Sequence, residues 1–199
     1  MNLATLLFAL LVALNLTGCR SQSHVTSVTV TESNESTLQN WEKFVSPDGA
    51  FAIMFPQKPL ESQYSVDSPA GKLVIHSYKY MSMASYFLSY TDYPAPIDRP
   101  ENKKAEALDH AREGGLRAVN GRLLSQSEIS INGHPGRLLV VDSPNGGPDG
   151  SLIRNKVYLV GNRLYSMQVA IPKGAQVPDT AAEKFLDSFE LTHDTKGNR

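Results

Sequence analysis

The central part of the chain alternates hydrophobic and polar residues with a period of two, which predicts β-strands. Phe51, Ile53 and Phe55 form the first such pattern, between a Pro47-Asp48-Gly49 turn and Pro56. Further strands are predicted over residues 60–67, 72–80, 86–90, 123–131 and 136–142. The last two are joined through Asn132-Gly133, a pair that is favoured in two-residue hairpin turns.

Two segments carry apolar residues at helical spacing instead. A first helix is predicted over residues 101–119, whose apolar residues fall on one side of the helix: Ala105, Leu108, Ala111, Leu116 and Val119. Near the C-terminus a second stripe consists of Ala182, Phe185, Leu186 and Phe189. Thr180 and Glu183 have the spacing of a capping box, which predicts the start of this second helix.

A tight hairpin is predicted between these helices, from residues 155–160 and 163–171 around Gly161-Asn162. Its first strand is apolar on both faces, with Val157 and Leu159 on one face and Tyr158 and Val160 on the other. We therefore expect the hairpin to be central in the sheet and covered from both sides. The second strand lines one face with Tyr165, Met167, Val169 and Ile171. Because the helix stripes must be buried on the sheet, the predicted class is α+β, one antiparallel β-sheet with two helices packed on it.

The N-terminus has a different pattern, since residues 3–16 are almost wholly apolar and residues 1–19 carry no charged side chain. As a helix the run would reach about 21 Å, short of the ~30 Å hydrocarbon core of a bilayer. It therefore predicts a signal peptide over residues 1–18. Met1-Asn2 lacks the basic residue that signal peptides commonly carry there, and an uncleaved anchor or a signal that is cut elsewhere is the alternative.

The apolar run ends in Leu16-Thr17-Gly18-Cys19, which resembles the bacterial lipobox. The resemblance implies a diacylglyceryl group on the Cys19 sulfur, cleavage between Gly18 and Cys19, and acylation of the new amino terminus. Acyl chains of this kind hold a protein stably on a membrane. We therefore expect a bacterial cell-envelope protein, anchored by lipid with its domain on the extracytoplasmic side.

The segment that follows Cys19 has the composition of a tether. Nine of the 21 residues from Arg20 to Asn40 are Ser or Thr and none is aromatic, so little surface is available to offset the entropy of ordering. We predict a tether over residues 19–40 and a single domain over residues 41–199. The alternative is that residues 25–31, rich in Val and Thr, add a strand to that domain.

Composition and charge narrow the functional classes. The 199 residues are 41% hydrophobic and 20% charged, with 19 basic and 20 acidic side chains. The chain therefore lacks the excess of basic residues that is typical of a nucleic-acid-binding protein. The near-neutral charge also does not favour attraction of the domain as a whole to an anionic membrane. The single cysteine excludes an internal disulfide and a Cys-rich zinc site.

No motif in the chain predicts catalysis. GxSxG, SxxK and HExxH are all absent from the sequence. Glu106, His110 and Glu113 share one helix face and could bind a divalent cation with a distant ligand, but a solvated helix surface is the favoured interpretation. We therefore predict a non-enzymatic protein with no metal and no cofactor, and a hydrolase that uses His134 and one of the many serines is the least favoured alternative.

Tyrosines are concentrated in one part of the chain, with six of the eight between residues 64 and 93. Tyrosine is enriched at protein interfaces because its ring offers a large contact area with a polar tip. The candidate partner-binding residues are Tyr78, Tyr80, Tyr86, Tyr90 and Tyr93. The alternative is packing on their own sheet, since tyrosine is also a common strand residue.

Four short motifs resemble the PsbP-type fold, which photosystem II extrinsic proteins share with bacterial lipoprotein relatives and Mog-type proteins. They are Ser46-Pro47-Asp48-Gly49-Ala50-Phe51, Tyr90-Thr91-Asp92-Tyr93-Pro94, residues 157–165 and Phe185-Leu186-Asp187-Ser188-Phe189. The resemblance implies a PsbP-like αβα sandwich and a non-enzymatic module that binds a protein partner, often in assembling a membrane complex. A small-ligand carrier that uses the space between sheet and helix is the alternative.

Overall fold

A computed structural model describes residues 41–68, 71–94 and 101–192, which form two antiparallel sheets and two helices. The smaller sheet has the order β1-β2-β10, from β1 (Glu42–Val45), β2 (Phe51–Phe55) and β10 (Glu190–Leu191). Cys19, Gly18 and residues 25–31 lie outside the described residues, so the predictions of a lipid anchor, a tether and an extra strand remain predictions.

The larger sheet contains seven strands in the order β3-β4-β5-β9-β8-β7-β6. Their bounds are β3 (Leu60–Ser68), β4 (Gly71–Met81), β5 (Ser85–Asp92), β6 (Arg122–Ile131), β7 (His134–Ser143), β8 (Ser151–Val160) and β9 (Arg163–Pro172). Helix α1 (Glu101–Ala118) connects β5 to β6, and helix α2 (Asp179–Asp187) connects β9 to β10. Neither described helix has the length and apolar character needed to cross a bilayer.

Both predicted hairpins are confirmed. Asn132 and Gly133 have φ values of 49° and 81°, and positive φ at both central residues is what a type I′ turn requires. The hairpin of β8 and β9 pairs Val160 with Arg163, and β9 is the central strand of the seven. The prediction that this hairpin is covered on both faces is also confirmed, because Tyr158 and Val157 pack in different core clusters.

One face of the large sheet is covered by the small sheet and α2. Phe51, Phe55 and Phe185 are fully buried there against the row of aromatic residues that the large sheet presents. Phe55 and Phe185 pack edge to face with ring centroids 5.0 Å apart. Edge-to-face contacts of this kind are favoured by the ring quadrupole, so the core between the sheets is largely aromatic.

The opposite face is covered by α1, which packs on β7 and β8. The predicted stripe supplies the contact, with Leu108, Ala111 and Val119 buried and Ala105 and Leu116 half-buried. Leu108, Ala111, Leu116 and Val119, but not Ala105, pack in one cluster with the sheet residues Leu139, Val141, Ile153, Val157 and Leu159. Gly114 and Gly115, which should weaken the last turn of the helix, do not end it before Ala118.

The expectation of one sheet was wrong in one respect, because β2 does not join the seven strands. Pro56 and Pro59 flank its connection to β3, and prolines prevent a strand from continuing in a ladder. The apolar face of β2, formed by Phe51, Ile53 and Phe55, is instead buried against the aromatic residues on one face of the large sheet.

The predicted capping box of α2 was also wrong. The helix begins at Asp179, Pro178 occupies the N-cap position, and no side-chain hydrogen bond caps it. Thr180 is therefore already inside the first turn and cannot accept from the free N–H groups as a cap does. Asp179 stabilises this end instead, because a carboxylate in the first turn interacts favourably with the helix dipole.

Candidate functional site

The structure places the candidate tyrosines mostly inside the protein. Tyr78, Tyr86 and Tyr90 have at most 6% of their surface exposed, and Tyr80 and Tyr93 are half-buried. An exposed tyrosine patch is therefore not formed by these residues, and the packing alternative accounts for them. Strand alternation is the reason for four of them, because Tyr78 and Tyr80 on β4 and Tyr86 and Tyr90 on β5 are each two or four residues apart and point into the aromatic core.

The sheet also divides these residues between two faces. Tyr78, Tyr80, Tyr86 and Tyr90 lie on the side of the small sheet, whereas Tyr93 packs with Leu73 and Ile75 on the other side. Burial raises the pKa of Tyr93 to about 12 and also raises the pKa values of Tyr86 and Tyr90. These phenols therefore stay neutral and have no tendency to act as bases near neutral pH.

Arg163 forms the centre of an ionic cluster where β5 ends and β9 begins. Its Nε donates to Asp92 Oδ1 and its Nη2 to Asp92 Oδ2, both at 2.7 Å. Its Nη1 donates to Asp48 Oδ2. The guanidinium carbon also lies 4.2 Å from the centroid of the Tyr90 ring, in a cation–π contact.

We call Asp48, Asp92, Arg163, Tyr90 and Tyr165 the Arg163 junction. Asp48 belongs to the turn that leads into β2, and the other four residues belong to β5 and β9. The junction therefore fastens the small sheet to the large one. Three of the four motifs that carry the fold resemblance supply its residues, so these motifs have a structural role in this domain.

The charges of the junction satisfy one another. Burial alone would raise the pKa of Asp48, but hydrogen bonds from Arg163, Ser46 and the Ala50 N–H outweigh it and hold that pKa below 3.8. Burial alone would lower the pKa of Arg163, but its bonds to Asp92 and Asp48 outweigh this and raise it, so the guanidinium remains charged. Neither group is available as a general acid or base near neutral pH.

Histidines and carboxylates in the described residues form no metal site. The His76 ring stacks on Tyr90 with centroids 4.6 Å apart and planes within 8°. Across residues 41–68, 71–94 and 101–192, no group of three His, Cys, Asp or Glu side chains could bind a metal ion. Glu106 pairs with Lys103 at 2.8 Å, as expected for the solvated helix surface.

The space between α1 and the large sheet is very small. Arg112, Asn155 and Gln168 are among the residues that line a cavity of about 20 Å³ there. This volume is enough for a single water, whereas ligand pockets have roughly 300–1,000 Å³. The cavity that the carrier alternative requires is therefore not present between α1 and the sheet. A larger depression of about 690 Å³ beside Trp41 and Lys58 is open to solvent.

Exposed apolar side chains gather at the opposite end of the large sheet from the Arg163 junction. Leu60 is 79% exposed, Met81 44% and Met83 58%. Trp41 lies at the same end, edge-on to Tyr86 with ring centroids 5.5 Å apart. We call this region, made of Trp41, Leu60 and residues 81–84, the Trp41 end. No sequence pattern predicted this region as a site.

Comparison with known proteins identifies the fold. No protein-family model matches the chain, and no curated protein matches it. The solution structure of cyanobacterial PsbP (CyanoP) from Synechocystis sp. PCC 6803 superposes with a TM-score of 0.52 at 10% identity, over 81% of this chain and 98% of that one.

Two crystal structures are similar at lower scores. A protein from Bacteroides thetaiotaomicron has a TM-score of 0.42 at 14% identity, over 80% of this chain and 52% of that one. A protein of unknown function from Pseudomonas aeruginosa has a TM-score of 0.32 at 13% identity, over 68% of this chain and 85% of that one. We draw no conclusion from either, but the CyanoP match confirms the predicted class: the domain is α+β with the PsbP-like fold.

Proposed function

We propose that the protein is a lipid-anchored component of the bacterial cell envelope whose PsbP-like domain binds a protein partner and catalyses no reaction. The observation that carries the anchor is Leu16-Thr17-Gly18-Cys19 at the end of an apolar run too short to span a bilayer. Two acyl chains on one residue are sufficient for stable anchoring.

Three features of the described residues support a binding module. The carboxylates of the Arg163 junction are occupied by the guanidinium. His76 is stacked on an aromatic ring. The cavity under α1 holds no more than a water. A domain with a rigid aromatic core and exposed apolar side chains at Val45, Leu124 and the Trp41 end is suited to contacts with other surfaces.

The anchor is tested by the Cys19→Ala variant. The wild-type chain should partition with the membrane fraction and carry the mass of its acyl groups, because the thioether on Cys19 is the attachment point. The variant should lose both the acyl mass and membrane retention that resists salt washing. A Ser21→Ala variant, with the lipobox intact, is the control and should behave as the wild type. Membrane retention of the wild type without acyl mass would contradict the proposal.

Partner binding is tested in intact cells by photo-crosslinking from exposed positions outside the Trp41 end. A photoreactive residue at Leu124, on the edge strand β6, or at Val45, on β1, samples two separate surfaces. We expect one protein to be captured repeatedly from one position and not from the other. Capture of the same abundant proteins from both positions would indicate nonspecific contact and would count against a dedicated partner.

A further inference from the structure

We propose that the Trp41 end contacts the lipid surface that holds Cys19, with Leu60, Met81 and Met83 entering the headgroup region. This inference rests on the proposed lipid anchor and adds an orientation of the domain to it. Leu60, Met81 and Met83 are three of the five large apolar side chains that are exposed in the described part of the chain.

The strand register brings these side chains together. Leu60 is paired with Lys79, and Lys79 is paired with Phe87 on the next strand. Met81 follows Lys79 by two residues, so it points to the same face and is a diagonal neighbour of both Leu60 and Phe87. Phe87 is half-buried and extends the patch inward. Met83, in the turn that follows β4, is the third exposed apolar side chain of this end, and we call the three side chains the apolar tip.

Two lysines lie beside this tip, and the carboxylate of Glu42 lines the same depression as Lys58. Lys79 lies between Leu60 and Phe87, and Lys58 precedes the start of β3 by two residues. No described residue forms an ion pair with either lysine, whereas Lys43, Lys156 and Lys173 are each paired with a carboxylate. Lysine stems can cover apolar surface while their ammonium groups reach phosphates.

The entry point of the chain favours a membrane over a soluble partner. The 21 residues from Arg20 to Asn40 separate Cys19 from Trp41, and the tether that their composition predicts would span roughly 25 Å. Trp41 packs on Tyr86, which is paired with Tyr80, the residue before Met81, whereas Lys72, at the other end of β4, is about 30 Å from Met81. Tethering raises the effective concentration of the lipid surface at this end, so a small apolar tip is sufficient.

The test uses the lipidated full chain in vesicles of phosphatidylcholine and phosphatidylglycerol. Ser82→Cys places a bimane fluorophore in the turn of the Trp41 end, and Lys72→Cys places the same fluorophore at the other end of β4. The Cys19 sulfur is blocked by its lipid, so each protein has one reactive thiol. With brominated acyl chains in the vesicles, we expect the fluorophore at position 82 to be quenched several-fold more than the fluorophore at position 72.

Substitution then identifies the side chains responsible. Leu60→Ser, Met81→Ser and Met83→Ser together should reduce quenching at position 82 to the level found at position 72. Leu124→Ser is the matched control, because Leu124 is 47% exposed and lies on the opposite edge strand. It should leave the quenching unchanged, and circular dichroism should show that every variant is folded.

The outcomes separate this inference from the anchor. Equal quenching at the two positions in a chain that carries its acyl mass overturns the orientation alone. Quenching that survives the triple substitution also overturns it. Weak quenching in vesicles, combined with crosslinking of position 82 to one envelope protein in cells, shows that the tip is a protein-binding surface instead. A chain without acyl mass overturns the anchor, and the orientation with it.

Discussion

At the residue scale, Arg163 links three of the four short motifs on which the fold resemblance rests. The guanidinium binds carboxylates from two separate motifs and lies over the ring of Tyr90. Arginine is suited to this position because its planar donors bind a carboxylate in pairs and its face stacks on aromatic rings. The sequence contains these residues but no spacing rule relates Asp48 to Arg163, which are 115 positions apart, so the junction could not be predicted.

Asp48 should make the domain sensitive to acid. Its folded-state pKa lies below the ordinary value of 3.8, so its carboxylate stabilises the fold above that pH, and this contribution is lost as the pH falls through the folded-state pKa. Asp48→Asn should therefore lower the free energy of unfolding near pH 7 by about 1 kcal/mol, a modest effect because the side chain is partly in solvent. Urea denaturation at a series of pH values measures both effects.

The variant should also lose part of its stability change between neutral and acidic pH, since Asn has no proton to bind. Asp149→Asn is the control, because Asp149 is exposed in the loop before β8 and no described residue pairs with it. An Asp48→Asn domain whose stability falls with acid as steeply as that of the wild type would show that the junction does not depend on this charge.

At the element scale, periodicity predicted both helices and the eight strands from β2 to β9, because a strong pattern determines each of them. The short strands β1 and β10 of the small sheet were not predicted. The two-residue hairpins were predicted because Asn132-Gly133 and Gly161-Asn162 carry the residues that such turns require. The pairing of β2 was not predicted, because alternation in Phe51, Ile53 and Phe55 specifies an apolar face and not the sheet on which that face packs.

The same limit applies to the candidate site. Concentration of tyrosines predicted a special surface, but a side chain that is suited to an interface is equally suited to a core, and only the position of the small sheet decides between them. Met81 and Met83 had the opposite outcome. No pattern in the sequence indicated a surface role for them, and both are exposed in the structure, at the end of β4 and in the turn that follows it.

At the scale of the whole molecule, one aromatic core holds both sheets and α2 together. Phe51 is fully buried on the small sheet, and its ring centroid lies within 6.2 Å of the ring centroids of Tyr78, Tyr90 and Tyr165 on the large sheet. The Phe51 ring also contacts the ring of Phe189, which follows α2. Removal of the Phe51 ring would therefore eliminate contacts with the large sheet and with the segment after α2 together. The small sheet, with strands of two to five residues, has little core of its own.

The domain should therefore unfold in a single transition. Trp41, the one tryptophan of the chain, precedes β1 and reports on the small sheet, whereas far-ultraviolet circular dichroism reports on all the strands. The two signals should have the same denaturation midpoint, as a two-state domain requires. Phe51→Ala should lower the free energy of unfolding by about 3–5 kcal/mol and move both midpoints together. A fluorescence midpoint that falls while the dichroism midpoint stays in place would show that the small sheet detaches independently and that the aromatic core does not join the two sheets.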